Sequence, residues 1–172
     1  MPTVVALLRA VNVGGRKVSM ADLRELFESL GYADVRTYIQ SGNLLFSAPR
    51  PPKPAVLESA IQGRFGLAVD VMLRSGAELQ RVVEGNPFPD ADRSRLHVGF
   101  MGTKPTAAAL ASLDRDAFLP EQCAVAGREV YLHLPDGMAR TKLPTYVLRQ
   151  LKVPATIRNW NTVTKLAELA HS

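Results

Sequence analysis

Thr37-Tyr38-Ile39-Gln40-Ser41-Gly42-Asn43-Leu44-Leu45 is two strand-like runs meeting at a Ser-Gly-Asn turn. On the near side Val35, Thr37 and Ile39 alternate with Arg36, Tyr38 and Gln40, the period-two pattern of a half-buried strand. On the far side Leu44 to Ser47 continues the pattern, so the segment from Val35 to Ser47 predicts a hairpin. Glycine and asparagine supply the backbone freedom that such a turn requires.

The neighbours of this hairpin complete a unit. Upstream, Val4-Val5-Ala6-Leu7-Leu8 is a continuous apolar run, as expected of a central strand covered on both faces. A helix follows, with Ser19 as N-cap, Asp22 three residues on, the stripe Leu23, Leu26, Phe27, Leu30, and Gly31 as its stop. Downstream, Pro49 to Pro54 is a proline-rich loop. A second helix, about Ala55 to Phe65, buries Leu57, Ala60 and Ile61 and ends before Gly66. Ala68 to Leu73 reads as the fourth strand, and Ser75-Gly76-Ala77-Glu78 is a capping box opening a trailing helix with Leu79, Val82 and Val83.

After Asn86-Pro87-Phe88-Pro89 the plan repeats. Leu96 to Met101 is a strand, and a helix carries Leu110 and Leu113. Gln122 to Ala126 and Glu129 to Leu134 form a hairpin about Gly127-Arg128. Lys142 to Leu151 is a helix, Ala155 to Asn159 a short strand, and a final helix carries Val163, Leu166, Ala167 and Ala170. Each half is βαββαβ plus a trailing helix, the ferredoxin-like order. We therefore expect an α+β protein of two ferredoxin-like halves packed together, 1–88 and 93–172, with the boundary near Asn86 to Arg93. The halves share a pattern without obvious residue identity.

Composition narrows the chemistry. A chain of 172 residues can bury roughly 70% of its unfolded surface, enough for a core without covalent staples. Cys123 is the sole cysteine, which excludes an intrachain disulfide and a cysteine-rich zinc site, and it reads as a small apolar strand residue. His97, His133 and His171 stand far apart in sequence, so no metal is expected, and no cofactor is called for. The run Val4 to Leu8 is too short for a signal peptide, and no stretch has the ~20 apolar residues of a membrane helix. We expect a cytoplasmic protein with no membrane partner.

The net charge is +5, and its distribution carries more information than its sum. No acid precedes Asp22, none lies between Asp34 and Glu58, and none lies between Asp136 and Glu168. Those gaps hold the three amide-rich stretches: Arg9 to Lys17, Thr37 to Asn43, and Arg158 to Thr162. In a βαββαβ unit the first and second strands run parallel, so the exit of strand one and the tip of the strand two–three hairpin share one end of the sheet. Arg9, Asn12, Gly14, Gly15, Lys17, Gln40, Ser41 and Asn43 should therefore cluster. The topology does not place Arg158, Asn159, Trp160 and Asn161, which complete the candidate ligand-binding set.

Each candidate has a plain structural alternative. Gly14-Gly15-Arg16-Lys17-Val18-Ser19 leads from a strand onto a helix N-terminus, as a phosphate cradle does, but lacks the P-loop spacing and reads equally as a simple turn. Asn12, Gln40, Asn43 and two glycine amides could hold an oxyanion or hold the loops to each other. Trp160 reads as a core anchor at a strand-to-helix corner, with Asn161 or Thr162 as N-cap. A Ser41 nucleophile would need Lys17 as its base. Along the Lys142–Leu151 helix, Lys142, Thr145, Arg149 and Lys152 share one face, a basic stripe suited to phosphates or simply solvated. The central strands offer only Phe46 for base stacking, which weighs against a ferredoxin-like RNA binder.

Leu8-Arg9 to Gly14-Gly15, Thr37 to Asn43, Asn86-Pro87-Phe88, and Ala155-Thr156-Ile157-Arg158-Asn159-Trp160-Asn161-Thr162 together resemble the bacterial family named only as domain of unknown function 1697. The resemblance covers nearly the whole chain and implies a two-part α+β protein of ferredoxin-like halves. It implies no activity, and no catalytic residue is carried over. We expect binding of an anionic ligand at the basic, amide-rich loops: a nucleotide, a phosphorylated metabolite or a nucleic-acid segment. The alternatives are an enzyme acting on such a molecule, and an interaction protein whose motifs are structural locks. Oligomeric state stays open.

Overall fold

The computed structural model describes residues 1–9, 18–38 and 42–171. The first half runs β1 (Thr3–Arg9), α1 (Met20–Ser29), β2 (Ala33–Thr37), β3 (Asn43–Ser47), α2 (Pro54–Phe65), β4 (Asp70–Ser75) and α3 (Gly76–Glu84). The second runs β5 (Leu96–Met101), α4 (Ala107–Ala111), β6 (Gln122–Ala126), β7 (Glu129–His133), α5 (Leu143–Leu151), β8 (Ala155–Asn159) and α6 (Trp160–His171). Each half forms a four-stranded antiparallel sheet, ordered β2-β3-β1-β4 and β6-β7-β5-β8. This is the α+β arrangement of two similar βαββαβ halves expected from the pattern. Two compact units result, one of Met1–Gln80 with Leu166–Ser172, the other of Arg81–Lys165. Helices α3 and α6 each begin in one unit and end in the other.

In the first unit, the continuous apolar run of β1 makes it the central strand, paired with β3 on one side and β4 on the other. Val4, Ala6 and Leu8 face the core together with Leu44 and Phe46 of β3 and Val71 of β4. Onto that face pack Leu23, Leu26 and Phe27 of α1 and Leu57 and Ile61 of α2. Phe27 meets Phe46 edge-on at 5.5 Å between ring centres, and Tyr32 lies 4.6 Å from Phe46. Full burial of a side chain such as Phe46 contributes about 1.5–3 kcal/mol, so this face contributes substantially to the unit's stability. In the second unit Met101, Val130, Leu132 and Ala155 of the sheet pack with Leu143, Val147 and Leu151 of α5. Cys123 joins this core, and burial raises its thiol pKa, which keeps it protonated and apolar.

The punctuation read from the sequence is present in detail. The Asp22 N–H donates to Ser19 Oγ at 3.0 Å. The Glu78 N–H donates to Ser75 Oγ at 3.1 Å while the Ser75 N–H donates to Glu78 Oε1 at 2.9 Å, a complete reciprocal box. Gly66 ends α2 in the left-handed region with φ 67°.

Four expectations shift. Leu30 lies past the end of α1 and is 39% exposed, so the buried stripe stops at Phe27. The fourth strand is Asp70–Ser75 and not Ala68–Leu73, because pairing begins where Arg9, the last residue of β1, meets Asp70. Helix α4 is a single short turn and a half, and Leu113 packs from beyond its end. The cap of α6 is Asn159, whose Oδ1 accepts the Thr162 N–H at 2.9 Å, in place of Asn161 or Thr162.

Candidate functional site

The exit of β1 and the β2–β3 connection meet at one end of the first sheet, as the topology requires. The Leu8 N–H donates to the Gly42 carbonyl at 2.9 Å, and Leu7 stands opposite Asn43. Gly42 adopts φ 79°, and a Cβ there would stand 3.1 Å from Leu8 Cβ and 3.2 Å from the Leu8 carbonyl oxygen. Glycine is thus demanded twice, by backbone conformation and by space. Asn43 is fully buried and donates from Nδ2 to the Tyr38 carbonyl at 3.0 Å, while the Tyr38 N–H donates to the Asn43 carbonyl at 3.1 Å. Asn43 therefore ties the two ends of the connection together through both its side chain and its backbone.

Arg9 is exposed at this rim and forms an ion pair with Asp70 at 3.7 Å, both side chains about half exposed. The acid-free stretch in sequence thus acquires an acid in space, brought across by β4. An exposed pair of this kind contributes about 0–1 kcal/mol, so Asp70 holds Arg9 only weakly. Helix α1 starts at the same end, its first turn capped by Ser19. Asn12, Gly14, Gly15, Lys17, Gln40 and Ser41 lie outside the described residues.

The remaining candidates occupy the β8–α6 corner of the second unit. Arg158 is 7% exposed and donates from one guanidinium nitrogen to Thr156 Oγ1 and to the Ile157 carbonyl. Desolvation lowers its pKa to about 10, so it stays charged at neutral pH. Asn159 caps α6, Trp160 is buried at the helix start, and Asn161 Oδ1 accepts from Arg93 Nε at 3.3 Å.

Strand register supplies an internal comparison that the sequence hides. Arg74 stands opposite Val5 in the first sheet, and Arg158 stands opposite Val98 in the second. Both arginines are buried, both donate to the carbonyl of the preceding residue, and both precede a helix cap, Ser75 or Asn159. At the other end, the Met101 N–H donates to the Arg128 carbonyl, just as Leu8 donates to Gly42. Gly42-Asn43 thus corresponds to Arg128-Glu129. The arginine–cap pair recurs in both halves and belongs to the shared fold. The amide-rich hairpin occurs in the first half alone.

Two further features had no sequence signal. A cavity of about 660 Å³ opens at the opposite end of the first sheet, lined in part by Arg24, Glu28, Asp34, Arg36 and Ser47. Asp34 there has φ 51°, and Arg36 Nε is buried without a hydrogen-bond partner among the described residues. Its lining sets Arg24 and Arg36 beside Glu28 and Asp34, with Met1 and Thr3 at the same mouth. In the second unit, buried His97 has Nδ1 without a partner among the described residues, and burial lowers its pKa. No group of three potential metal ligands occurs among the described residues. No helix among them is long and apolar enough to cross a membrane.

The family model described as protein of unknown function (DUF1697) matches residues 1–131. The conserved bacterial protein SP0830 from Streptococcus pneumoniae has a similar structure, with TM-score 0.75 and 24% identity over 100% of this chain and 99% of that one. At that identity the likeness concerns the fold. No curated protein matches the chain.

Proposed function

This chain belongs to the DUF1697 family, and we propose that it binds a small phosphate-bearing anion at the end of the first sheet where β1 exits beside the β2–β3 connection. One observation carries the proposal. The second half builds the same strand pair around Gly127-Arg128 without an amide-rich turn, so the shared fold does not call for Gln40 and Ser41. Residues present beyond what a shared fold requires are the ones to assign to a ligand. Arg9 supplies charge at the rim, Lys17 lies on the segment that joins β1 to α1, and Gln40 and Ser41 supply directional hydrogen bonds. Asn43 holds the connection that displays them.

The same comparison favours a structural role for Arg158 and Asn159, since their counterparts Arg74 and Ser75 repeat the arrangement. The interaction-protein alternative, in which every motif is a lock, therefore applies to the β8–α6 corner and is tested at the β1 end.

The experiment is a thermal-shift screen of phosphate-bearing metabolites, with hits measured by calorimetry. Arg9→Ala and Gln40→Ala are expected to weaken binding at least tenfold while moving the melting temperature by about 2 °C or less, as surface substitutions do. Both variants losing several degrees with affinity intact would make this end a lock as well. Turnover of the bound compound that Ser41→Ala or Lys17→Ala abolishes would identify an enzyme.

A further inference from the structure

The second unit holds a cavity of about 310 Å³ that none of the loop-end residues touch. It is lined by Phe118, Thr141, Lys142, Thr145, Tyr146 and Arg149. Two kinds of surface meet in it. One is aromatic: the Phe118 and Tyr146 rings lie 5.3 Å apart at 59°, both half-buried and both packed on the core of the unit. Tyr146 is further fixed through its hydroxyl, which accepts the Asp114 N–H at 3.0 Å. A ring held by the core on one side and by a hydrogen bond at its tip is a preformed wall.

The other surface is cationic. Lys142, Thr145 and Arg149 are exposed and follow one another along one face of α5 and its cap. Lys142 and Arg149 are separated by a rise of about 10 Å, a gap that two long flexible side chains can close upon a single phosphate or share across two. The Thr141 hydroxyl accepts the Leu143 N–H at 3.2 Å and can still donate outward. No lining residue is acidic, and no acid occurs between Asp136 and Glu168. Asp114 and Asp116 precede Phe118 without lining the cavity, and Asp114 Oδ1 is engaged by the Asp116 N–H at 3.0 Å.

A flat apolar wall beside two cations and two hydroxyls is complementary to a molecule with a planar ring at one end and phosphate at the other. We infer that this cavity binds a nucleoside phosphate, the base against Phe118 and Tyr146, the phosphates at Lys142, Arg149 and the threonine hydroxyls. The volume is at the lower end of the roughly 300–1,000 Å³ of small-ligand sites, which suits one nucleotide and not a strand. Stacking accepts any base with a π face, so discrimination among bases is weak. The phosphates are held at the open rim, so binding weakens as salt is raised.

The test titrates the full chain with ADP, adenosine and pyrophosphate, following backbone amide shifts and heats of binding. ADP is expected to saturate, with the largest shifts at Phe118, Thr145 and Arg149, and to bind at least tenfold tighter than either half-ligand. Lys142→Ala with Arg149→Ala weakens ADP tenfold or more, and Phe118→Leu fivefold or more, whereas Arg9→Ala leaves ADP binding here unchanged. That last variant keeps this test separate from the loop-end proposal. Should Phe118→Leu disturb the core, the exposed Lys142/Arg149 double variant carries the test alone. Pyrophosphate binding as tightly as ADP would reduce the site to a basic patch and overturn the inference. So would ADP shifts confined to other residues, or no binding, or a uridine oligonucleotide binding tenfold tighter than ADP.

Discussion

Tyr131→Phe is the sharpest single test of how the second unit is held. The Tyr131 side chain is 3% exposed, and its hydroxyl donates to the Val82 carbonyl at 2.7 Å. Val82 is in the last turn of α3, where carbonyls lack an intrahelical partner. Removing the hydroxyl deletes one hydrogen bond and strands that carbonyl, a cost of about 1–2 kcal/mol. A second consequence depends on pH. Burial, with a smaller contribution from the Glu129 charge, pushes the phenol up to about 12 from 10.0. Below pH 10 the phenol is neutral folded or unfolded, and the full benefit of the bond is present. Between pH 10 and 12 the unfolded chain loses this proton while the folded chain keeps it. Stability is lost there at up to about 1.4 kcal/mol per pH unit, and the phenylalanine variant has no such loss. The wild-type advantage of about 1–2 kcal/mol at pH 8 should therefore vanish near pH 11. Paired urea melts of both proteins at pH 8, 9, 10 and 11 measure the difference directly, and taking the difference cancels the other titrating groups. An advantage that stays flat to pH 11 would refute the reasoning, as would a fully neutral Phe variant at pH 8.

Three further outcomes follow from named contacts. Ser75→Ala and Asn159→Ala each remove a helix cap and should cost about 0.5–2 kcal/mol, read from chemical melts, with similar losses because the two corners are equivalent. Alanine is strained at both Gly42 and Gly31, with φ of 79° and 93°, but Gly42→Ala should lower the melting temperature more, because its Cβ also meets the Leu8 backbone while at Gly31 a Cβ meets nothing within 4 Å. His97 has a pKa lowered by desolvation, so the unfolded chain takes up its proton first as pH falls below about 6.5 and stability drops at up to about 1.4 kcal/mol per pH unit. His97→Leu should flatten that acid limb in melts between pH 7.5 and 5.

The fold was legible because its signals are local. A capping box is four residues long, an apolar run declares a central strand, and a left-handed glycine ends a helix, so Ser75–Glu78, Val4–Leu8 and Gly66 could each be read alone. What failed depended on register. Asp70 was invisible as the partner of Arg9 because only the pairing of β4 with β1 brings them together. Asn159 carries no cap signal in the sequence because the β8 strand pattern runs into it without a break. The α5 cavity needed Phe118 from a loop whose path has no periodicity, although the cationic half of its lining was visible as the Lys142, Thr145 and Arg149 stripe.

The internal repeat shows why residue identity is a poor guide to equivalence and register a good one. Leu8 corresponds to Met101, Gly42 to Arg128, and Arg74 to Arg158, and the spacing shortens from each pair to the next because the connecting loops differ in length. No fixed period exists for a sequence comparison to find. Once the strands are aligned, each half becomes a control for the other. A residue type found at the same place in both, such as the buried arginine before the cap, answers a demand of the fold: it fills an enclosed strand position while its guanidinium meets backbone carbonyls. A residue type found in one half alone answers to something that half does. Trp160 illustrates the difference, since its counterpart Gly76 begins α3 where a Cβ would press on Ala170. Gln40 and Ser41 have no counterpart of their type: the partner half makes its turn with a glycine and an arginine, and the strands close all the same.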